Sequence, residues 1–179
     1  MTPRELEEFR ELRATVRQRG TARIWVFLAG MIGWGALTLA TASLASLPIA
    51  TFLPLLILAT TFEAVFSLHV TVERIGRYIQ VFLEDDEGHR GWEHVAMSVG
   101  PPLKGTSVDP LFTGYFLVAT VLNIVPALLA QPVALEVAVV LGAHLIVAVR
   151  ILVARRIASR QRAADLKRFT ELKAGRPGV

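Results

Sequence analysis

Two ionisable side chains, Glu63 and His144, lie deep within apolar stretches of the chain and could form a site that moves protons or cations. An ionisable group in hydrocarbon is costly, so it usually faces a bundle interior or water. Glu63 lies 14 residues beyond Ile49 and His144 lies 12 residues beyond Pro132. At about 1.5 Å per residue, their depths are similar. We expect a carboxylate–imidazole pair near mid-membrane whose protonation can change near neutral pH; the alternative is a hydrogen-bonded clamp between helices.

Two further polar side chains, Glu136 and Asn123, belong to the same candidate ion or proton pathway. Glu136 lies four residues beyond Pro132, close to an outer turn, so it could simply reach the membrane interface. Asn123 lies in the preceding apolar stretch and could pair with Glu136 instead. Polar side chains on neighbouring membrane helices often join in this way.

A polar stripe follows on the second apolar segment, where side chains recur at spacings of three and four residues on one side of a helix. Its members are His69, Glu73, Arg77, Gln80 and Glu84. The stripe could line a cytoplasmic vestibule or form a docking surface. The alternative is a water-facing side stabilised by the neighbours Glu73–Arg77 and Gln80–Glu84. Arg74, Arg77 and Tyr78 lie at headgroup level, where they could bind lipid phosphate or anchor the helix.

Carboxylates and imidazoles are also gathered just after this stripe, in a set that could hold a divalent metal. The spacing lacks the glycine and terminal glutamate of a calcium-binding loop, and no two histidines flank a glutamate on one helical face. A solvated acidic loop that balances the neighbouring basic helices is the alternative. The metal candidates are His69, Glu73, His89, Glu93 and His94, and no other cofactor is predicted.

The elements that must position these groups follow from the distribution of charge. All 19 lysines and arginines fall within three blocks, at residues 4–23, 74–104 and 150–176. The apolar sequence predicts four spans, at 24–44, 49–69, 111–130 and 133–154, each near the roughly 20 residues that cross a bilayer. One orientation then places all the positive charge in the cytoplasm. We predict an all-α integral protein of the plasma (inner) membrane, a four-transmembrane-helix bundle of two helical hairpins with both termini cytoplasmic.

Residues 1–23 are predicted to form an amphipathic cytoplasmic helix. Thr2 and Glu5 have the spacing of a capping box, and proline suits the first helical position, so the helix should start at Pro3. Gly20 is expected to end it. This acidic helix should pack against the basic helix at the other end of the chain, because their charges are complementary.

The remaining cytoplasmic segments extend the second and fourth spans. Residues 70–110 should contain a helical extension, a short helix at Trp92–Met97 and a loop at 100–105. Residues 155–179 should form a long basic helix that ends near Gly175. In the third span, Pro126 is expected to produce a kink.

Composition excludes several classes of function. With 53% apolar residues, the 179-residue chain supports one membrane domain. Its net charge of +4 is explained by the inside-positive rule and by attraction to anionic lipid, rather than by binding of nucleic acid. The absence of cysteine removes disulfides, thiolate nucleophiles and iron–sulfur clusters. No phosphate-binding glycine loop, serine elbow or zinc-protease signature is present, so an enzyme is the less favoured class.

Three functions remain open. The first is a homo-oligomeric channel or transporter for protons, cations or a small solute, with Glu63 and His144 at its centre. The second is a non-catalytic membrane scaffold or regulatory subunit that binds a cytoplasmic protein partner or anionic lipid. The third is a metal-dependent membrane enzyme.

Overall fold

The computed structural model describes residues 1–43, 47–84, 91–99 and 110–175. Every regular element in these ranges is helical, which confirms the all-α class. In chain order the elements are α1 (Pro3–Ala42), a 3-10 turn (Pro48–Thr51), α2 (Phe52–Phe82), α3 (Trp92–Val99), α4 (Pro110–Leu122), α5 (Val125–Leu129) and α6 (Ala134–Ala174).

Four segments are long and apolar enough to cross a membrane, in agreement with the four predicted spans. They are Pro3–Ala42, Pro48–Phe82, Phe112–Leu129 and Ala134–Ala174. Large apolar side chains on them point outward: Ile32 is 72% exposed, Leu39 76% and Leu135 74%. A continuous apolar surface of this kind is suited to lipid and would promote aggregation in water.

The N-terminal segment and the first span form one continuous helix, α1. The predicted capping box is present: the Thr2 N–H donates to Glu5 Oε2 at 2.6 Å, and the Glu5 N–H donates to the Thr2 hydroxyl at 3.3 Å. The predicted start at Pro3 is therefore confirmed. The predicted end at Gly20 is wrong, because α1 continues to Ala42. One interior glycine costs a helix only about 1 kcal/mol relative to alanine, too little to stop it.

The predicted extensions of the second and fourth spans are confirmed as helix. α2 continues to Phe82, and α6 continues to Ala174, immediately before Gly175. The short helix α3 begins at Trp92 as predicted. The predicted loop at 100–105 lies outside the described residues.

The third span is interrupted between α4 and α5, as Pro126 predicted. Asn123 and Ile124 occupy the break, and Pro126 lies in the first turn of α5, where its missing N–H is tolerated. The following connection contains Gln131 in a left-handed conformation, with φ of 51°. Glu136 then accepts a hydrogen bond from the Val133 N–H at 3.0 Å, which caps the start of α6.

The chain divides into two compact units, and three helices contribute residues to both. We name Arg23–Phe66 together with Val108–Arg155 the apolar unit. We name Met1–Ala22 together with Ser67–Ser107 and Arg156–Val179 the polar unit. α1, α2 and α6 each supply one part to each unit.

Aromatic contacts hold the core of the apolar unit. Phe116 of α4 is fully buried, and its ring meets Phe62 of α2 edge-to-face at 5.3 Å and Phe27 of α1 at 5.7 Å. Leu58 and Ile151 complete the same buried cluster, so α6 is included. Each edge-to-face pair contributes about 0.5–1.5 kcal/mol beyond its buried area.

A close approach of α1 to α2 depends on Gly30. A Cβ at this position would overlap the Thr61 side chain and lie 2.7 Å from its Cβ. Small residues permit this contact between neighbouring membrane helices. Gly20 differs, because nothing lies within 4 Å of the position its Cβ would take.

The two glycines therefore predict opposite effects of the same substitution. We expect Gly20→Ala to raise the free energy of unfolding by roughly 0.5–1 kcal/mol through helix propensity. Gly30→Ala should lower it by about 1–3 kcal/mol, because the two helices must move apart. Denaturant unfolding in detergent measures both, and equal stability of the two variants would contradict the α1–α2 contact.

Candidate functional site

The most completely buried polar side chain of the apolar unit is Asn123, which is 0% exposed. Its position in the break between α4 and α5 lets the side chain reach three other elements. Oδ1 accepts a hydrogen bond from Trp34 Nε1 at 3.2 Å, and Thr38 Oγ1 lies 3.4 Å from it. Nδ2 donates to the Thr51 carbonyl at 2.9 Å and lies 2.9 Å from His144 Nε2. The amide thus joins α1, the 3-10 turn, the third span and α6.

The hydrogen bonds of His144 define its tautomer. Nδ1 lies 2.8 Å from the Val140 carbonyl, which can only accept, so Nδ1 carries the proton. Nε2 then accepts from the Asn123 amide, and a neutral imidazole satisfies both neighbours. His144 is 2% exposed and is held as a buried clamp between α6 and the third span.

The expected pairings within the candidate pathway are not formed. Glu63 does not meet His144, because Glu63 Oε2 accepts from Arg150 Nη2 at 2.7 Å, while both imidazole nitrogens have other partners. Arg150 and His144 are six residues apart on α6. Their side chains are separated by a rotation of about 240° around the helix axis, so they point to different sides of the helix. Asn123 does not meet Glu136, because Glu136 caps its own helix.

Sequence reasoning missed Arg150, because it was counted with the cytoplasmic cations although it lies within the predicted fourth span. Its guanidinium lies over the Phe66 ring at 5.3 Å and over the Phe62 ring at 5.9 Å, in addition to the ion pair. The available signal was that a glutamate in an apolar segment needs a counter-ion, and Arg150 was the cation of the fourth span. The pair lies on the surface, since the Glu63 side chain is 48% exposed and that of Arg150 37%.

In the polar unit, the middle of the polar stripe is covered by α6. The Arg77 side chain is 1% exposed and lies 3.6 Å from Glu73 and 3.4 Å from Asp165. Asp165 also accepts from Arg74 Nε at 3.2 Å, and Arg162 pairs with Glu73. The predicted Glu73–Arg77 neighbours are therefore present, but as part of a buried charge network between helices. Arg77 is not available to lipid phosphate, which corrects that expectation.

The two ends of the stripe have different surroundings. His69 Nε2 lies 3.6 Å from Glu73, one turn along α2. Gln80 lines a cavity of about 360 Å³ together with Val81, His94, Leu166, Thr170, Lys173 and Ala174. Lys173 Nζ donates to the Val81 carbonyl at 2.9 Å beside it. The stripe therefore serves mainly to pack α2 against α6.

Glu84 is directed at α3. Its two carboxylate oxygens accept from the backbone N–H groups of Glu93 at 3.2 Å and His94 at 3.1 Å, which caps that helix. Arg13 of α1 donates to Glu93 Oε1 at 2.9 Å. Burial raises the pKa of Glu93, and the Arg13 guanidinium opposes that rise. A Cβ at Gly91 would overlap the Glu84 carboxylate, so a larger residue would require that side chain to shift.

Tyr78 contacts both terminal helices of the polar unit. Its hydroxyl donates to Glu8 of α1 at 2.7 Å, and its ring lies edge-to-face with Phe169 of α6 at 5.8 Å. The N-terminal and C-terminal helices are thus linked through α2. This position gives Tyr78 a packing role within the protein.

The metal candidates are dispersed among these contacts. Within the residues that the structure describes, no group of three or more histidine, aspartate or glutamate side chains could hold a metal ion. His89 lies outside those residues. Glu73, Glu84 and Glu93 have ion-pair or capping partners instead.

No known family model matches the chain, and neither a curated protein nor a solved structure is significantly similar to it.

The Asn123 network predicts a large loss of stability on truncation. Asn123→Ala leaves the buried His144 Nε2 without a donor and the Trp34 N–H without an acceptor, so the free energy of unfolding should fall by about 2–3 kcal/mol. Ser43→Ala is the control, because Ser43 is exposed and its hydroxyl bonds to the nearby Ala40 carbonyl. It should change stability by less than about 0.5 kcal/mol. Unfolding in detergent measures both; similar losses would contradict the role of Asn123.

The polar unit offers a comparison of two arginines that share Asp165. Arg77→Ala removes a buried cation and leaves Glu73 with one partner fewer, so we expect a loss of about 3–5 kcal/mol. Arg74→Ala should cost less than about 1 kcal/mol, since its side chain is 49% exposed. Equal effects of the two substitutions on unfolding would show that the buried network does not hold α2 to α6.

Proposed function

We propose that this chain is a non-catalytic membrane scaffold or regulatory subunit, whose polar unit binds an acidic protein surface or anionic lipid on the cytoplasmic side of the plasma (inner) membrane. Its four apolar helices would cross as two helical hairpins, with both termini inside. Support for this orientation comes from the three basic blocks, which all fall on one side of such a topology.

The burial of Asn123 and His144 in the apolar unit favours a scaffold over a channel within one copy. A path for protons or cations needs polar groups that water or the ion can reach. Asn123 and His144 are 0% and 2% exposed, and each hydrogen-bonds to other groups of the fold. Their arrangement is suited to holding helices together.

The polar unit, in contrast, carries a bare cationic surface, and this observation carries the proposal. Arg156, Arg160 and Lys167 are exposed and lie within about 40° of each other around α6. Arg162 and Asp165 are on the opposite side, where they pair with α2. We name Arg156, Arg160 and Lys167 the basic face. Within the described part of the chain, the basic face has one ion pair, between Lys167 and the exposed Glu171 at 3.9 Å, which leaves most of its charge for a partner.

Charge reversal of the basic face tests this function. In native membranes the wild type should migrate in a complex larger than its own oligomer, and Arg156→Glu/Arg160→Glu/Lys167→Glu should lose that complex or its enrichment on anionic vesicles. The matched control is Arg4→Glu/Arg10→Glu/Arg17→Glu, which reverses three exposed arginines of α1 and should retain binding. If both triple variants lost binding equally, the loss would be explained by the change in net charge alone, and the proposal would be contradicted.

A second candidate, an oligomeric channel with its path between copies, is favoured by the exposed Glu63–Arg150 pair. Such a pair could line a shared pathway. Flux in proteoliposomes separates the two candidates: the scaffold leaves proton leakage at the level of empty vesicles. A pH-dependent flux that Glu63→Gln alters would favour the channel.

A further inference from the structure

The Glu63–Arg150 pair is exposed on a surface of the apolar unit that is otherwise suited to hydrocarbon. Glu63 lies six residues before His69, the inner end of the predicted second span. That is about 9 Å of helix, farther than a glutamate side chain extends. The guanidinium of Arg150 lies beside it, over the Phe62 and Phe66 rings. Lipid tails cannot solvate this pair, so protein must cover it.

The surrounding surface has the character of a helix–helix interface. On α2, Thr60 and Ala64 are exposed on the same side as Glu63, and such small side chains let a second backbone approach. On α6, Ile146 is 72% exposed and Val149 47%, on the side next to Arg150. We name this surface, formed by exposed residues of α2 and α6 around the ion pair, the paired face.

We propose that a second copy of this chain covers the paired face in a two-fold symmetric dimer. This dimer rests on the proposed function, because it requires the four apolar helices to be inserted in a membrane. Glu63 and Arg150 touch within one copy, so they lie at the same depth. A two-fold axis along the membrane normal preserves depth and brings Glu63 of each copy toward Arg150 of the other. The surface carries one charge of each sign and is therefore complementary to itself.

Cysteine cross-linking in native membranes tests this dimer directly, because the chain has no cysteine of its own. Ala64→Cys on the paired face should form a species of twice the chain mass under mild oxidation. The matched control is Ala36→Cys, an exposed alanine on α1, which should stay monomeric. Dimers from Ala36→Cys alone would place self-association on α1 and overturn the proposal, as would adducts of Ala64→Cys with other proteins only.

The ion pair itself is tested in the Ala64→Cys background. Adding Glu63→Gln should lower the cross-linked yield by more than about tenfold, because Arg150 would then be desolvated in the dimer without a carboxylate. The exchanged pair Glu63→Arg/Arg150→Glu keeps both signs and should restore cross-linking. Circular dichroism and unfolding confirm that each variant is folded. Undiminished cross-linking of Glu63→Gln would overturn the role of the pair, while the basic-face variants report on the scaffold function separately.

Discussion

The buried amide of Asn123 connects every apolar segment of the fold. It reaches Trp34 on α1, the Thr51 carbonyl at the start of the second span, and His144 on α6. An asparagine withdrawn from water must find partners for two donor hydrogens and two acceptor lone pairs, and here α1, the 3-10 turn and α6 supply them. The apolar side chains around Asn123 stabilise the packing but form no directional bonds. The hydrogen bonds of the amide, in contrast, specify which helices are neighbours.

The polar unit satisfies the same requirement with charge. Arg77 is almost fully buried, so its guanidinium must have carboxylates nearby, and Glu73 and Asp165 provide them from two helices. Each carboxylate also pairs with another arginine: Asp165 with Arg74 and Glu73 with Arg162. The result is a network of alternating charges rather than a set of isolated pairs. One side of α6 enters this network, and the opposite side carries the exposed residues Arg156, Arg160 and Lys167.

Local features could be predicted from the sequence, because they depend on residues close together in the chain. The Thr2–Glu5 capping box, the break near Pro126 and the long extensions of α2 and α6 are of this kind. Gly20 was misjudged because an intrinsic preference of about 1 kcal/mol was treated as decisive.

The contacts of the candidate site could not be predicted, because counting residues gives the depth of a side chain but not the direction in which it points. Glu63 and His144 have matching depths, but their side chains belong to different surroundings. Direction depends on which neighbours each helix has, and no local pattern specifies that. Asn123 was noted only as a partner for Glu136, although a lone amide between apolar residues is itself a sign of a junction between helices.

The bonds of Asn123 also constrain the order of biogenesis. Thr51 precedes the amide by 72 residues, whereas His144 follows it by 21. A nascent chain whose third apolar segment has just left the ribosome already has the carbonyl acceptor but not the imidazole. Until the last helix is synthesised, one hydrogen of that amide lacks the partner that it has in the complete fold. The complete set of hydrogen bonds around Asn123 can therefore form only after α6 has been synthesised.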